Sequence, residues 1–329
     1  MLPNQTISPA APGGANTGVP EQDRFPYPEV IEFLRKGRVI PVLGAGVNVG
    51  QENRKVEWNT ESSYLPLGGE LSRFLADQSK FPEDDLRDRS DLSKVAAYYA
   101  GTVGRPFLCE RLHGVFDRDF SPGPVHKFLA EIARETPLLI ITTNYDDLLE
   151  RAFADIRYDR VIHLTNNDEW GEAVLWWSHD PENPTAAEPM PIHPSRLDQH
   201  IDLTKTSVIY KMHGTVDRHS SDSKWDSYVI TEDDYVDFLS RMTKQTAIPA
   251  MFTKPFRNRS FLFLGYGLRD WNFRVVLRDL LAGKRSVQSK SWAVQFRRTQ
   301  LEKDLWESRG VTIYDADLSY FLDRLREAR

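Results

Sequence analysis

Cysteine is nearly missing from this 329-residue chain: Cys109 stands alone. One thiol excludes an intrachain disulfide and any Cys-rich zinc module, and it fits a reducing compartment. Long apolar runs are missing too. Nothing approaches the roughly 18 residues of a membrane-spanning helix, and the N-terminus lacks the basic-then-apolar pattern of a secretion signal. A cytoplasmic location is the expectation. Excess positive charge is also absent. The formal net charge of −6 gives no general pull towards nucleic acid or anionic lipid, and neither is expected as a direct partner. The short basic stretch "KPFRNRS" (254–260) reads as a solvated face. What is plentiful is apolar residue content, 40% of the chain, enough to bury a sizeable core in one large or two modest domains.

Residues 1–24 are rich in Pro, Gly, Ala, Asn and Gln without any period, the composition of a disordered tail. A globular segment is expected from 25 to 329. "PEVIEFLRKG" reads as a short helix closed by Gly37, and "RVIPVLGAG" (38–46) as a strand running into glycines. A helical module follows over about 51–125, including "GGELSRFLADQS", "DLSKVAAYYAGT" and "RPFLCERLHGVF". Residues 160–206, with Trp170, Trp176, Trp177 and a Pro-rich loop, read as an irregular insert whose tryptophans pack rather than stack on bases. Further apolar strands are "LLIITT", "SVIYKMHG", "SFLFLGYG", "SWAVQF" and "VTIYDA". Strands alternating with helices predict an α/β fold with a parallel sheet.

Four of these strands end in "GAG", "TTNYD", "KMHG" and "GYG". Parallel sheets bind ligands outside the carboxyl ends of their strands, at the point where the strand order reverses. The four ends therefore describe the rim of one crevice. On that rim lie Gly44, Ala45, Gly46 and Asn48, then Thr143, Asn144 and Asp146, then His213, then Gly265, Tyr266 and Gly267.

Each has a plainer explanation as well. "GAGVNVG" (44–50) is one residue longer than the dehydrogenase fingerprint and lacks the acid-ended second strand. Taken alone it fits a tight turn as well as a nucleotide loop, and hydride-transfer chemistry is disfavoured. His213 is either a histidine satisfied by the backbone or, from its place on the rim, a neutral imidazole able to accept a proton. Asp146 and Asp147 precede a helix, where one of them is expected to cap it; that role falls more naturally to Asp147. Asn144 cannot act as a base, but its amide can orient a water or bind a ribose hydroxyl. Gly265 and Gly267 leave room for a ribose, while Leu268 and Trp271 read as core. No metal site is expected, since His179, His193 and His200 lack helical ligand spacing.

"PVLGAGVNVG", "LPLGGELSRFL", "PVHKFLAEIA", "IITTNYDDLLERAF", "VIYKMHGTVD", "YVITEDDYVDFL" and "FLFLGYGLRDWNF", in this order, together resemble the sirtuin-like family in its divergent bacterial, antiphage-defence branch. The resemblance covers roughly residues 30–320. It implies a Rossmann-like NAD-binding domain with a small helical module after the first strand. It also implies that Gly44, Ala45 and Gly46 line the pyrophosphate and that Asn144 and Asp146 lie near the nicotinamide ribose. His213 then matches the family's catalytic histidine, and Gly265 to Gly267 the glycine segment at the adenosine end. The deacetylases of the family carry a four-cysteine zinc ribbon and a different first loop; here there is one cysteine, and the first loop has Asn48, with "LPLGGE" (65–70) further along.

What the resemblance implies is an NAD+ glycohydrolase that depletes cellular NAD when a partner senses infection, with NAD+ as substrate and no metal. Asn144, His213 and Asp146 are its expected catalytic residues. Because the chain ends soon after its last strand, a separately encoded sensor is expected. Short chains of this branch resemble the subunit that pairs with a HerA-type ATPase translocase. A homo-oligomer is expected too, assembled through residues 70–116 or 160–206. The rivals are an NAD-dependent deacylase or ADP-ribosyltransferase, and a non-catalytic nucleotide-binding scaffold.

Overall fold

The structure is a computed structural model that describes residues 24–49, 57–82, 88–165, 170–183, 188–218, 220, 222–244, 246–267, 290–295 and 299–329. Most of the N-terminal tail, and Leu268 and Trp271, lie outside the described residues.

Helix α1 (Tyr27–Arg35) buries Val30, Ile31 and Leu34 along one stripe. Gly37, at φ +61°, then reverses the chain in the left-handed conformation that glycine adopts without penalty. That turn delivers β1 (Val39–Leu43), buried throughout. Pro41 offers no N–H to a neighbour, and the β1–β2 ladder registers only from Val42 and Leu43 onward. Helices α2 (Gly68–Ser79), α3 (Leu92–Tyr99) and α4 (Arg105–Phe116) follow, where the sequence places a helical module. Then come α5 (Pro124–Ala133), β2 (Leu139–Thr142) and α6 (Leu148–Ala152).

The segment expected to be irregular carries three strands instead: β3 (Tyr158–His163), β4 (Val174–His179) and β5 (Met190–Ile192). Their signal is hidden because β3 buries Asp159, Arg160 and His163. Two of these polar groups are matched by β4: Trp176 Nε1 donates to Asp159 Oδ1 at 3.1 Å, and the Arg160 guanidinium lies 3.8 Å over the Trp177 ring. The tryptophans at 176 and 177 are thus packing groups.

Next are β6 (Ser207–Lys211), the short pair β7 (Gly214–Thr215) and β8 (Ser227–Tyr228), α7 (Glu232–Thr243) and α8 (Thr253–Asn258). The chain closes with β9 (Ser260–Leu264), β10 (Ser291–Gln295), α9 (Gln300–Glu307), β11 (Val311–Asp315) and α10 (Leu318–Glu327).

The main sheet runs β11-β10-β9-β1-β2-β6-β3-β4-β5. It is parallel from β11 to β3 and antiparallel only at the β4 and β5 edge. Alternate side chains feed opposite faces, as a pleated strand requires. Val39, Ile140, Leu262 and Trp292 join α1, α5 and α10 in one core, while Ile40, Ile141, Phe261 and Ala293 join Phe238, Phe252 and Trp306 in a second. A third core knits the α2–α4 module through Leu75, Val95 and Leu112 to Tyr145, Leu148, Tyr228 and Ile230. The fold is therefore an α/β Rossmann-like sheet flanked by helices, with the helical module seated over the strand ends.

Candidate active site

The four strand ends singled out in the sequence belong to β9, β1, β2 and β6, which are consecutive neighbours in the sheet. From β1 the chain grows first towards β2 and β6, then returns to build β9, β10 and β11 on the other side. The reversal point thus lies at the first glycine loop. A cavity of about 590 Å³ opens there, and its wall includes Gly44, Ala45, Gly46, Asn48, Thr143, Asn144, Asp146, His213, Gly265, Tyr266 and Gly267. All the site residues expected from sequence meet in this one cavity.

The glycines have a packing job that their spacing does not announce. The Gly44 amide donates to Leu264 O at 3.1 Å and the Gly46 amide to Gly265 O at 2.9 Å. A Cβ on Gly44 would stand 2.7 Å from the Tyr266 ring, and one on Gly46 would stand 2.7 Å from the Gly265 carbonyl. Gly265, at φ +62°, would push a Cβ to 2.3 Å from Val47 N. Two loops from neighbouring strands therefore lie backbone against backbone, and the amides of Gly44 and Gly46 are spent on that contact. Close approach of chain to chain requires these glycines before any ligand does.

The polar run after β2 divides by residue. Asn144 N donates to Thr142 Oγ1 at 3.1 Å, which turns the chain without Gly or Pro. Tyr145 points into the helical module, edge-on to Phe116 and Tyr228, and its hydroxyl donates to Val229 O at 2.8 Å. Asp146 is 4% exposed and uses both oxygens: Oδ1 accepts from Leu148 N at 3.1 Å and Oδ2 from Asn48 Nδ2 at 2.8 Å. The helix start is thus served by Asp146, not Asp147. Asp147 occupies the cap position without a capping bond and instead pairs with Arg151 at 2.9 Å and Arg218 at 3.7 Å. Two acids in sequence compete for one cap, and a nearby arginine pair claims the second.

His213 follows β6 and is 4% exposed. Its ring meets Tyr235 edge-on at 5.4 Å, and its carbonyl accepts from Val229 N at 2.9 Å. Gly214 takes φ +91° beside Ser227, so the chain can turn immediately after the histidine. Burial pushes the His213 imidazole down to about 4, so it is neutral at pH 7. Among the described residues, neither its ring nitrogens nor the Asn144 side-chain amide has a hydrogen-bond partner. The buried Asn48 Oδ1 is likewise unmatched. Polar groups held this way in a cavity wall are matched by a ligand or by water.

Several wall residues escaped sequence reasoning: Pro66 to Gly69 at the start of α2, Tyr235 on α7, Gln295 at the end of β10 and Leu318 at the start of α10. "LPLGGE" carried a signal in its paired glycines. Gln295 carried none, yet its Nε2 donates to Tyr266 O at 2.8 Å and braces the second glycine loop. Among the described residues no cluster of three or more His, Cys, Asp or Glu is arranged to hold a metal ion, and no helix is long and apolar enough to cross a membrane.

Comparison with known proteins places this geometry in a family. The chain is 29% identical over 243 residues to a protein named "NAD(+) hydrolase ThsA" from Acinetobacter baumannii (strain 532279), a match covering 72% of this chain and 39% of that protein. It is 20% identical over 292 residues to "Defense-associated sirtuin 2" from Bacillus subtilis, covering 88% of this chain and 24% of that one. It thus spans well under half the length of either relative. A solved structure described as "Structural Basis for the Mechanism and Regulation of Sir2 Enzymes" aligns with 92% of this chain and 98% of its own, at 13% identity and a TM-score of 0.39. The family described as SIR2-like domain matches residues 138–314, more than half of the chain. That stretch runs from β2 through β11 and contains Asn144, His213 and the second glycine loop, and the chain belongs to the SIR2-like domain family.

Proposed function

We propose that the protein is an NAD+ glycohydrolase acting in antiphage defence, with NAD+ as substrate. The observation that carries this reading is that two polar side chains without a hydrogen-bond partner among the described residues, Asn144 and neutral His213, line one cavity at the reversal point of a parallel sheet. The names of the relatives supply the substrate and the defence setting.

NAD+ would lie across the strand ends with its nicotinamide ribose between Asn144 and His213. The C1′–N bond breaks as its electron pair returns to the pyridinium ring, so nicotinamide leaves neutral and needs no acid. An oxocarbenium-like ribosyl cation remains. Asn144 orients a water towards C1′, the new C–O bond forms, and the water's proton passes to His213 and then to solvent. The attacking water becomes strongly acidic as its C–O bond forms, so an imidazole held near 4 can still take its proton, and a positioned acceptor remains worth its usual share of the rate. Asp146 holds the loop and Asn48, and the unmatched Asn48 Oδ1 is left to accept from the ligand.

A homo-oligomer and a separately encoded partner, of the HerA translocase type by resemblance, complete the proposal. The face offered is the helical module, where Phe107 of α4 is 58% exposed.

The deciding experiment incubates the full chain with NAD+ and follows nicotinamide and ADP-ribose by chromatography, with calorimetric NAD+ binding alongside. His213→Ala is expected to lower turnover by about 10²–10⁴-fold while binding persists. Normal turnover in that variant removes the mechanism. Nicotinamide release only when an acylated peptide is supplied would point to a deacylase instead, and NAD+ surviving intact would point to a scaffold.

A further inference from the structure

Lys211 is fully buried at the end of β6, two residues before His213, and the chemistry above makes no use of it. Its ammonium donates to the carbonyl oxygen of Asp146 and stands 3.1 Å from Glu150 Oε1 on α6. Glu150 is itself only 5% exposed, and the Lys211 contact is close but poorly aligned, leaving both carboxylate oxygens without a directed hydrogen bond among the described residues. Two charges have been brought out of water, and their match is imperfect.

Such a pair is a poor device for stability. Well-packed apolar side chains of similar volume generally serve as well or better, because desolvation cancels much of the attraction. Its geometry serves something else. Lys211 bridges β6, α6 and the β2–α6 loop in one step. From Asp146 the chain of contacts continues through Oδ2 to Asn48 Nδ2 at 2.8 Å, on the turn after β1. Asn144 lies two residues before Asp146, and His213 two residues after Lys211. Every polar group assigned above to the reacting end of the cavity hangs from this one linkage.

We propose that the buried Lys211–Glu150 pair is the positioning device of the site, clamping the Asn144–Asp146 loop against the end of β6 and so setting the spacing between Asn144 and His213. The proposal rests on the glycohydrolase reading for its chemical consequence, though not for the clamp itself. Lys211 and Glu150 act through the loop and do not touch the substrate.

The test is Lys211→Met/Glu150→Leu in the full chain, which removes both charges while keeping the volume filled. Three quantities are read: the urea midpoint, hydrogen exchange of the segments 142–148 and 212–216 by mass spectrometry, and steady-state NAD+ hydrolysis. The midpoint is expected to stay at or above the parent value, exchange in both segments to quicken about tenfold or more, and kcat to fall about 10²-fold, the scale of a small misplacement of reacting groups, with KM nearly unchanged. A merely structural role would move the midpoint and leave kcat alone. Parent-level exchange and kcat in the double variant would overturn the proposal. If the parent protein hydrolyses no NAD+, the glycohydrolase reading fails, and exchange still decides the clamp. Should the double variant not fold, Glu150→Gln keeps the shape and removes one charge; unchanged exchange over 142–148 would overturn the proposal equally.

Discussion

Asp146 shows how a side chain's partners decide its role. In sequence it stands two positions from Asn144 in a motif that resembles a catalytic pair, so chemistry and loop-holding are both open to it. In the fold its two oxygens are taken by Leu148 N and Asn48 Nδ2, and a carboxylate so engaged has little left for a substrate. The distinction is testable. Asp146→Ala strips a capping acceptor and strands the Asn48 amide, which should cost about 1–3 kcal/mol and most of the turnover. Asp146→Asn keeps an acceptor for Leu148 N, and Asn48 can flip its own amide so that its oxygen meets the new NH2. That variant should hold most of its stability and retain more than about a tenth of its turnover, since the bonds within the loop survive and only the single Asn48 contact offered to the ligand is reversed. Urea melts and nicotinamide release on both variants decide the matter; equal loss in the two would put the Asp146 charge itself into the chemistry. Asn144 and His213 were legible because each breaks the pattern of a buried strand end. The division of labour between Asp146 and Asp147 was not, because Arg151 and Arg218, which claim Asp147, reach it only in three dimensions.

At the scale of elements, the two glycine loops behave as one unit. Apolar runs ending in Gly, Asn or His announced β1, β2, β6 and β9 without ambiguity, since buried parallel strands are nearly uniform in their hydrophobicity. What spacing alone did not reveal is that loop 44–46 packs on loop 265–266 so closely that glycine is required from both sides. Replacing Gly44, Gly46 or Gly265 by Ala puts a methyl within 2.3–2.7 Å of the facing loop, and two of the three close contacts are to backbone, which cannot rotate away. Each substitution should cost on the order of 1–3 kcal/mol and weaken NAD+ binding by pushing the β1 and β9 loops apart. Gly267 is the control, because among the described residues nothing lies within 4 Å of the place a methyl on it would occupy. Gly267→Ala should stay within about 0.5 kcal/mol of the parent. Urea midpoints and calorimetric affinities for the four variants form the test, and equal tolerance at Gly44 and Gly267 would contradict it. β3 was the element least legible, because its buried Asp159, Arg160 and His163 look like loop residues until β4 supplies the tryptophans that match two of them.

For the whole molecule, the alternation of strands with helices was legible as a parallel α/β sheet, but the number of histidines it buries was not, since a histidine's environment is set by what folds over it. His126 and His213 are both held down at about 4, and His163 well below its ordinary value, in each case chiefly by burial. His126 accepts from the Gly123 amide through Nδ1 at 3.0 Å, a bond that protonation would break. In an unfolded chain a histidine titrates near 6.5. Above that pH both states are neutral at these positions and the histidines contribute nothing to the pH dependence. Between 6.5 and about 4 the unfolded chain binds protons that the folded chain refuses, so stability falls as pH falls, by up to about 1.4 kcal/mol per pH unit for each histidine. Carried through, the drop from 6.5 to about 4 amounts to roughly 3 kcal/mol each for His126 and His213. Asp159 and Asp226, whose carboxyls burial pushes up, act in the opposite direction, but nearer the carboxylate range. The urea midpoint should therefore be level from pH 8 to 7 and decline steeply from pH 6.5 to 5. His163 lies outside the proposed reacting pair, its ring packed edge-on against Phe238 with a buried Nδ1 that has no hydrogen-bond partner among the described residues. His163→Leu should leave the midpoint at pH 7.5 close to the parent value and make the decline shallower by about one proton. A midpoint equal at pH 5 and pH 7.5 in the parent protein would show that these imidazoles take up protons in the folded state after all.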